Sequence, residues 1–271
     1  LPGYSTMKEK ERVVFFLRDG LSAAEKERMA AYGADMSKYL DSGNEARIKK
    51  AYESRDPRLQ MAVITPYAQY NGASSGIAHT YTLRWPYRGS DSAEPFDIRT
   101  DTNDKFYYLW RKFVPEGLEQ TERDTYGLDI PLIRYAEVLL LKAEALNEWG
   151  STHESEAIRC VNEVRRRAGH VELNNATYPA TKVNGQSDLR ERIRNEYYWE
   201  IGGEDSMYFH ELRWGTWKDK KFDNNRNGLM QMWGETTYTW YWLGDQCWSW
   251  PIPAKEMEMN SNLEQNEGWI N

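Results

Sequence analysis

Residues 134–150, RYAEVLLLKAEALNEWG, place Tyr135, Leu139, Ala143 and Leu146 on one helical face, with Val138, Leu140 and Leu141 widening it. That spacing predicts an amphipathic helix, and so broad an apolar stripe calls for burial against more than one neighbour. Gly150 is a natural C-cap. Ser151-Thr-His-Glu154 reads as a capping box, and Ala157, Val161, Val164 and Ala168 then line one face of a second helix that Gly169 closes. Helices joined by so short a turn pack side by side as a hairpin. This half of the chain must therefore be built as helix on helix.

The hairpin occupies about 35 residues, close to the period of tetratricopeptide repeats. A third helix is predicted from Asp188 to about Ile201, with Leu189, Ile193 and Tyr197 at spacing four, and Gly202-Gly203 ends it. A fourth, short helix runs to about Trp214, giving two antiparallel hairpins. Upstream, Ser22-Ala-Ala-Glu25 is a capping box opening a helix that ends near Gly33. A helix over about Asn44–Glu53 is closed by Arg55-Asp56-Pro57, since the residue before proline avoids the helical region. Met61–Thr65 is β-prone and Phe106–Val114 reads as a strand, with a Gly/Ser/Pro-rich stretch between them. The expected fold is mainly α: tetratricopeptide-like hairpins over 129–271, and a loop-rich region with short helices and strands over 1–128.

A chain of 271 residues is long enough to bury roughly 70–75% of its unfolded surface. Its net charge of −7 argues against nucleic acid, whose binders carry a clustered basic face. No apolar run approaches the roughly 18 residues of a membrane span. Two cysteines make no disulfide framework, and Cys160, on a helix, reads as a small buried residue. Aromatic residues stand out, with 12 Trp, 18 Tyr and 7 Phe, and seven of the tryptophans fall between Trp214 and Trp250. Such rings suit cores and also flat sugar faces.

Catalytic signatures are sparse. There is no phosphate loop, no G-x-S-x-G and no H-E-x-x-H, and the four histidines (His79, His153, His170 and His210) have no metal-ligand spacing. No metal or cofactor is expected. Asp223–Gly228 begins like a calcium loop, but position 12 is Gly234 and Glu235 comes one step late, so it reads as a polar turn. Glu196 and Glu200, four apart, have the residue types of a glycosidase acid–base pair. With arginines at 190, 192 and 194 nearby, the structural ion-pair reading is preferred.

The tail reads WPIPAKEMEMNSNLEQNEGW over 250–269. Pro-Ile-Pro cannot continue a helix and fixes an extended path, Asn260 and Asn262 suit a turn, and Trp269 can pin the end down. The tail is expected to be a structural clasp. In order along the chain, ESRDPRLQMAVITPY, DIPLIRYAEVLLLKAEALNEWG, AIRCVNEVRRRAG, RIRNEYYWEIGGEDSMYFHELRWGTW and this ending resemble the C-terminal half of the SusD/RagB family. One departure is WEIGGEDSMYF, where the family usually has a phenylalanine, a Glu-Gly pair and an arginine; no detailed role is carried onto those residues.

The resemblance implies a non-catalytic outer-membrane lipoprotein of Bacteroidetes that binds glycans and partners a SusC-like TonB-dependent transporter. It also implies an N-terminal half with a lipid anchor, of which this chain is the C-terminal complement. Loops carried on a helical scaffold are the expected ligand face. Tyr67, Tyr70, Tyr81, Trp85 and Tyr87 are the expected stacking rings there, with Arg84 and Arg88 as donors, although packing of the loops explains any one ring equally well. A helical scaffold that binds only protein, and a glycoside hydrolase, remain as alternatives.

Overall fold

The computed structural model describes residues 18–31, 35–53, 55–74, 76–84, 109–117, 127, 129–204, 206–221 and 242–269. These fall into two compact units, the larger reaching to Met207 and the smaller beginning at Tyr208.

The larger unit opens with α1, Ala23–Ala31. Its capping box forms as expected: Ser22 N–H donates to Glu25 Oε2 (2.8 Å), and Glu25 N–H to Ser22 Oγ (3.3 Å). A 3-10 turn, Met36–Lys38, leads to α2, Asn44–Glu53. Asp19 organises the entry to α2, accepting from the backbone of Gly43 and Asn44 at 3.0 and 2.7 Å. Asp56-Pro57 then starts a helix as well as stopping one. Asp56 Oδ1 accepts from Arg58 N (2.9 Å), and proline occupies the first turn of α3, Pro57–Ala62. Proline lacks a donor that this position would leave unpaired anyway, so a cap followed by proline is a helix start.

Four short strands follow: β1 Val63–Ile64, β2 Gln69–Ser74, β3 Ile77–Thr82 and β4 Leu109–Trp110. β2 and β3 form an antiparallel hairpin in which Tyr70 faces Tyr81, and β1 pairs antiparallel with β4. The strand expected over Phe106–Val114 is therefore brief among the described residues. Arg111 N–H and Lys112 N–H turn back to the Ala62 carbonyl, and Phe113 takes a positive φ of 60°. Leu21, Met29, Ile48, Tyr52, Ile64, Tyr67 and Leu83 form the core under this region.

The helical half holds α4, Tyr135–Trp149, α5, Glu154–Arg167, and α6, Gln186–Ile201. α4 packs against both of the others. The capping box expected at Ser151 does not form. Gly150 (φ 138°) is followed by a 3-10 turn, Ser151–His153, and Glu154 N–H donates to the Ser151 carbonyl rather than to its hydroxyl. Gly169, at φ 70°, ends α5 as expected, with His170 N–H reaching back to the Arg165 carbonyl at 2.9 Å. The stripe on α4 is narrower than expected. Leu139, Leu140, Ala143 and Leu146 are buried, whereas Tyr135, Val138 and Leu141 are exposed. Cys160 is buried, and burial pushes its thiol pKa up, as suits an inert core cysteine.

α7, Ser206–Arg213, carries the chain into the smaller unit, which also holds α8, Trp217–Lys221, and α9, Ala254–Met259. Its tail is fastened by one glutamine. Between two prolines Ile252 has the only backbone N–H, and it donates to Gln265 Oε1 (2.7 Å), while Gln265 Nε2 donates to the Ile252 carbonyl (2.9 Å). Trp269 Nε1 reaches the Ser249 carbonyl at 2.9 Å. Asn260 takes the turn, its side chain accepting from Asn262 N–H at 3.1 Å. No helix is long and apolar enough to cross a membrane among the described residues.

Candidate functional site

The β2–β3 hairpin places the described members of the expected ligand face. Tyr67 and Tyr81 are buried, at 4% and 9% exposure. Tyr70, half-buried, donates its hydroxyl to the Pro115 carbonyl at 2.6 Å. Tyr67 and Tyr81, expected to stack on a ligand, thus lie in the packed interior, and the hydroxyl of Tyr70 is taken by the backbone. Arg84 pairs with Glu45 (3.3 Å) where the chain leaves β3. Trp85, Tyr87 and Arg88 lie outside the described residues, as do Phe106 and the Asp223–Gly228 turn.

A second constellation lies where α3, the turn after β4, α5 and α6 converge. Glu196 and Glu200, one turn apart on α6, face this seam. Glu196, fully buried, accepts from Arg58 Nη1 and Arg165 Nε, each at 2.7 Å. Glu200 accepts from Arg58 (3.1 Å), Arg134 (3.0 Å) and Arg167. Arg58 is also clamped by both oxygens of Asp56, at 3.0 and 2.7 Å. The arginines at 190, 192 and 194 are not the partners; they pair with Glu148, Asp188 and Glu191.

Past the end of α6, Glu204 accepts from Lys112 and from Arg134 (2.7 Å). Lys112 Nζ donates to the Glu200 carbonyl at 3.0 Å, and Arg134 Nη2 reaches the same carbonyl at 3.0 Å. Last-turn carbonyls have no partner within their helix and carry the negative end of its dipole, so cations are the appropriate cap. Gly203, with φ 82°, allows the tight exit: a Cβ there would lie 2.8 Å from the Trp110 ring.

These charges bound a cavity of about 290 Å³, with Met61, Phe113 and Trp199 on its apolar side. The donors of Arg58, Arg134 and Lys112 are taken up by protein oxygens, so the seam locks elements together and has little left for a ligand. Burial raises the Glu200 carboxyl, but hydrogen bonds from Arg134 and Arg58 and the charge of Arg167 outweigh it and hold the pKa below the ordinary range. A glycosidase acid needs the opposite shift. Among the described residues, no three of His, Cys, Asp and Glu gather as metal ligands.

The seam makes stability pH-dependent. Asp56 is also held low, its burial outweighed by the Arg58 hydrogen bonds and charge. A carboxyl with a lowered folded pKa stabilises above its unfolded pKa, and the contribution disappears as pH falls through the folded value. His170 acts in the same direction, because burial, partly opposed by Asp56, keeps it neutral below its ordinary 6.5. Urea midpoints are expected to fall in two steps, a small one below about pH 6.5 and a larger one below about 4.5. Glu200→Gln should lower the midpoint at neutral pH and meet the wild-type curve in acid. Parallel curves would show that Glu200 contributes nothing to the pH dependence.

The comparisons with known proteins agree with one another. A SusD-like protein from Bacteroides fragilis shares the fold with a TM-score of 0.52 and 22% identity, over 96% of this chain and 46% of its own. SusD-like protein P38 of Formosa agariphila is 32% identical over 139 residues, 51% of this chain and 24% of that protein. Starch-binding protein SusD of Bacteroides thetaiotaomicron is 28% identical over 161 residues, 59% of this chain and 25% of its own length. The chain thus matches about a quarter of each of these curated relatives. The SusD family model matches residues 15–269, nearly the full sequence. On that match, and on the helical architecture, the chain belongs to the SusD family.

Proposed function

We propose that the chain is part of a non-catalytic, surface-exposed lipoprotein that binds oligosaccharide and delivers it to a SusC-like TonB-dependent transporter in the outer membrane. The family match over residues 15–269 carries this reading, supported by a relative named as a starch-binding protein. The seam supports it too, since its two α6 carboxylates are held as ion pairs. In this reading buried Tyr67 and Tyr81 and half-buried Tyr70 are the footing of the ligand face. Trp85, Tyr87, Arg84 and Arg88 make the contacts, because they follow directly from β3 as the chain leaves that footing.

Titration against plant, microbial and host glycans tests it. One class is expected to bind saturably, and Trp85→Ala to weaken it about 10-fold, near the upper worth of one stacked ring. A cooperatively folded chain that binds no glycan would overturn the reading. Full affinity in Trp85→Ala would move the site elsewhere.

A further inference from the structure

Among its described residues, the smaller unit presents exposed aromatic side chains. Trp250 is 72% exposed and Phe209 62%. Isolated exposed rings are ordinary, but these two meet at one residue. Trp250 Nε1 donates to the Tyr208 hydroxyl at 3.2 Å, and Tyr208 makes an edge contact with Phe209, ring centres 5.3 Å apart. Tyr208 also makes an edge contact with Trp217 at 4.9 Å. The next residue, Lys218, lies over the Trp242 ring at 5.4 Å and pairs with Asp245 at 3.1 Å. Trp217 and Lys218 are neighbours on α8, so ring contacts and one step along the chain link Phe209 and Trp250 to an exposed ion pair.

Trp250 is also fixed in place. Its edge is tethered at Nε1, its carbonyl accepts from Asn266 Nδ2 at 2.6 Å, and Pro251 follows it. The indole faces meet no other aromatic ring among the described residues. A ring held in position while its faces stay wet loses little entropy when a flat ligand covers it. Asp245 has one oxygen taken by Lys218 and by Trp242 Nε1 (3.2 Å). Its other oxygen has no donor among the described residues, and a carboxylate oxygen in that state accepts a hydroxyl well.

We infer that Trp250, Phe209 and Asp245 form a second saccharide-binding face, on the C-terminal unit, for an uncharged glycan several sugar rings long. It rests on the proposed glycan-binding function and assigns that function a further site. Pyranose rings stack on Trp250 and Phe209, and Asp245 accepts their hydroxyls. Lys218 and Asp245 cancel in charge, so this pair does not select an ionised sugar. The tail is then both the clasp of the C-terminal unit and a platform, a use that reading it as a closing device alone misses.

Native gels cast with amylopectin, xyloglucan, laminarin or alginate test this on the full chain. At least one neutral polymer is expected to retard the wild type, and Trp250→Ala to weaken that binding about 5- to 10-fold. Trp250→Phe should keep most of the affinity, and Asp245→Asn should lose about 3-fold; thermal unfolding of these variants should match the wild type. Retardation unchanged in both Trp250→Ala and Asp245→Asn overturns this face and leaves the glycan reading standing. Retardation by alginate alone overturns the uncharged ligand. A wild type retarded by no polymer overturns the glycan reading itself, and this face with it.

Discussion

Glu196→Ala is expected to cost about 3–5 kcal/mol, the range for removing one member of a buried ion pair. Glu196 is fully buried and joins two arginines that are themselves nearly buried. Alanine would leave Arg165 with the Val171 carbonyl, at 3.0 Å, as its remaining hydrogen-bond acceptor. The desolvation already suffered by that guanidinium would stay while its compensating charge is gone. Arg58 would keep Asp56 and Glu200, so the loss falls mainly on the α5–α6 contact. Glu196→Gln keeps a hydrogen-bonding oxygen and should cost less. The exposed pair Arg190–Glu148 gives the scale: its deletion should cost about 0–1 kcal/mol. Urea unfolding of the three variants checks the order. A Glu196→Ala cost near that of the exposed pair would mean that water reaches the seam.

The seam also marks the limit of what the sequence discloses. Glu196 and Glu200, four apart on a helix, are visibly one facing pair, and an ion-pair role follows from their type. Their partners are not visible. Arg58 is 138 positions from Glu196, and nothing local distinguishes it from the arginines at 190, 192 and 194, which sit on the same helix but pair elsewhere. Local rules did well where the chain decides locally, as in the Ser22–Glu25 box and the glycine that closes α5. They failed at Ser151, where Gly150 adds a 3-10 turn that displaces the helix start. The β2–β3 hairpin was hidden because Asn71, Gly72 and Ser74 in β2 are residue types that favour loops. Around the β2–β3 hairpin, residue type alone did not show that Tyr67 belongs to the core.

A second large effect is expected in α4, and it carries its own control. Leu140 is fully buried, and Leu140→Ala should cost about 2–5 kcal/mol from lost transfer energy and the cavity left behind. Leu141, its neighbour, is 41% exposed, and Leu141→Ala should cost about 1 kcal/mol or less. The sequence offers no reason for the difference, since both residues belong to one run of leucines. The structure does: α4 packs against α5 and α6, and Leu139, Leu140, Ala143 and Leu146 are its buried side chains. Val138 and Leu141 are exposed on the other side of the helix, and Tyr135 is exposed at its first residue. Comparing the two variants therefore separates packing from composition. Equal costs would mean that the outer face of α4 is covered in solution, because a leucine loses that much only when its side chain leaves a filled interior. Unequal costs would fix α4 as a helix with one structural face, however apolar the other is.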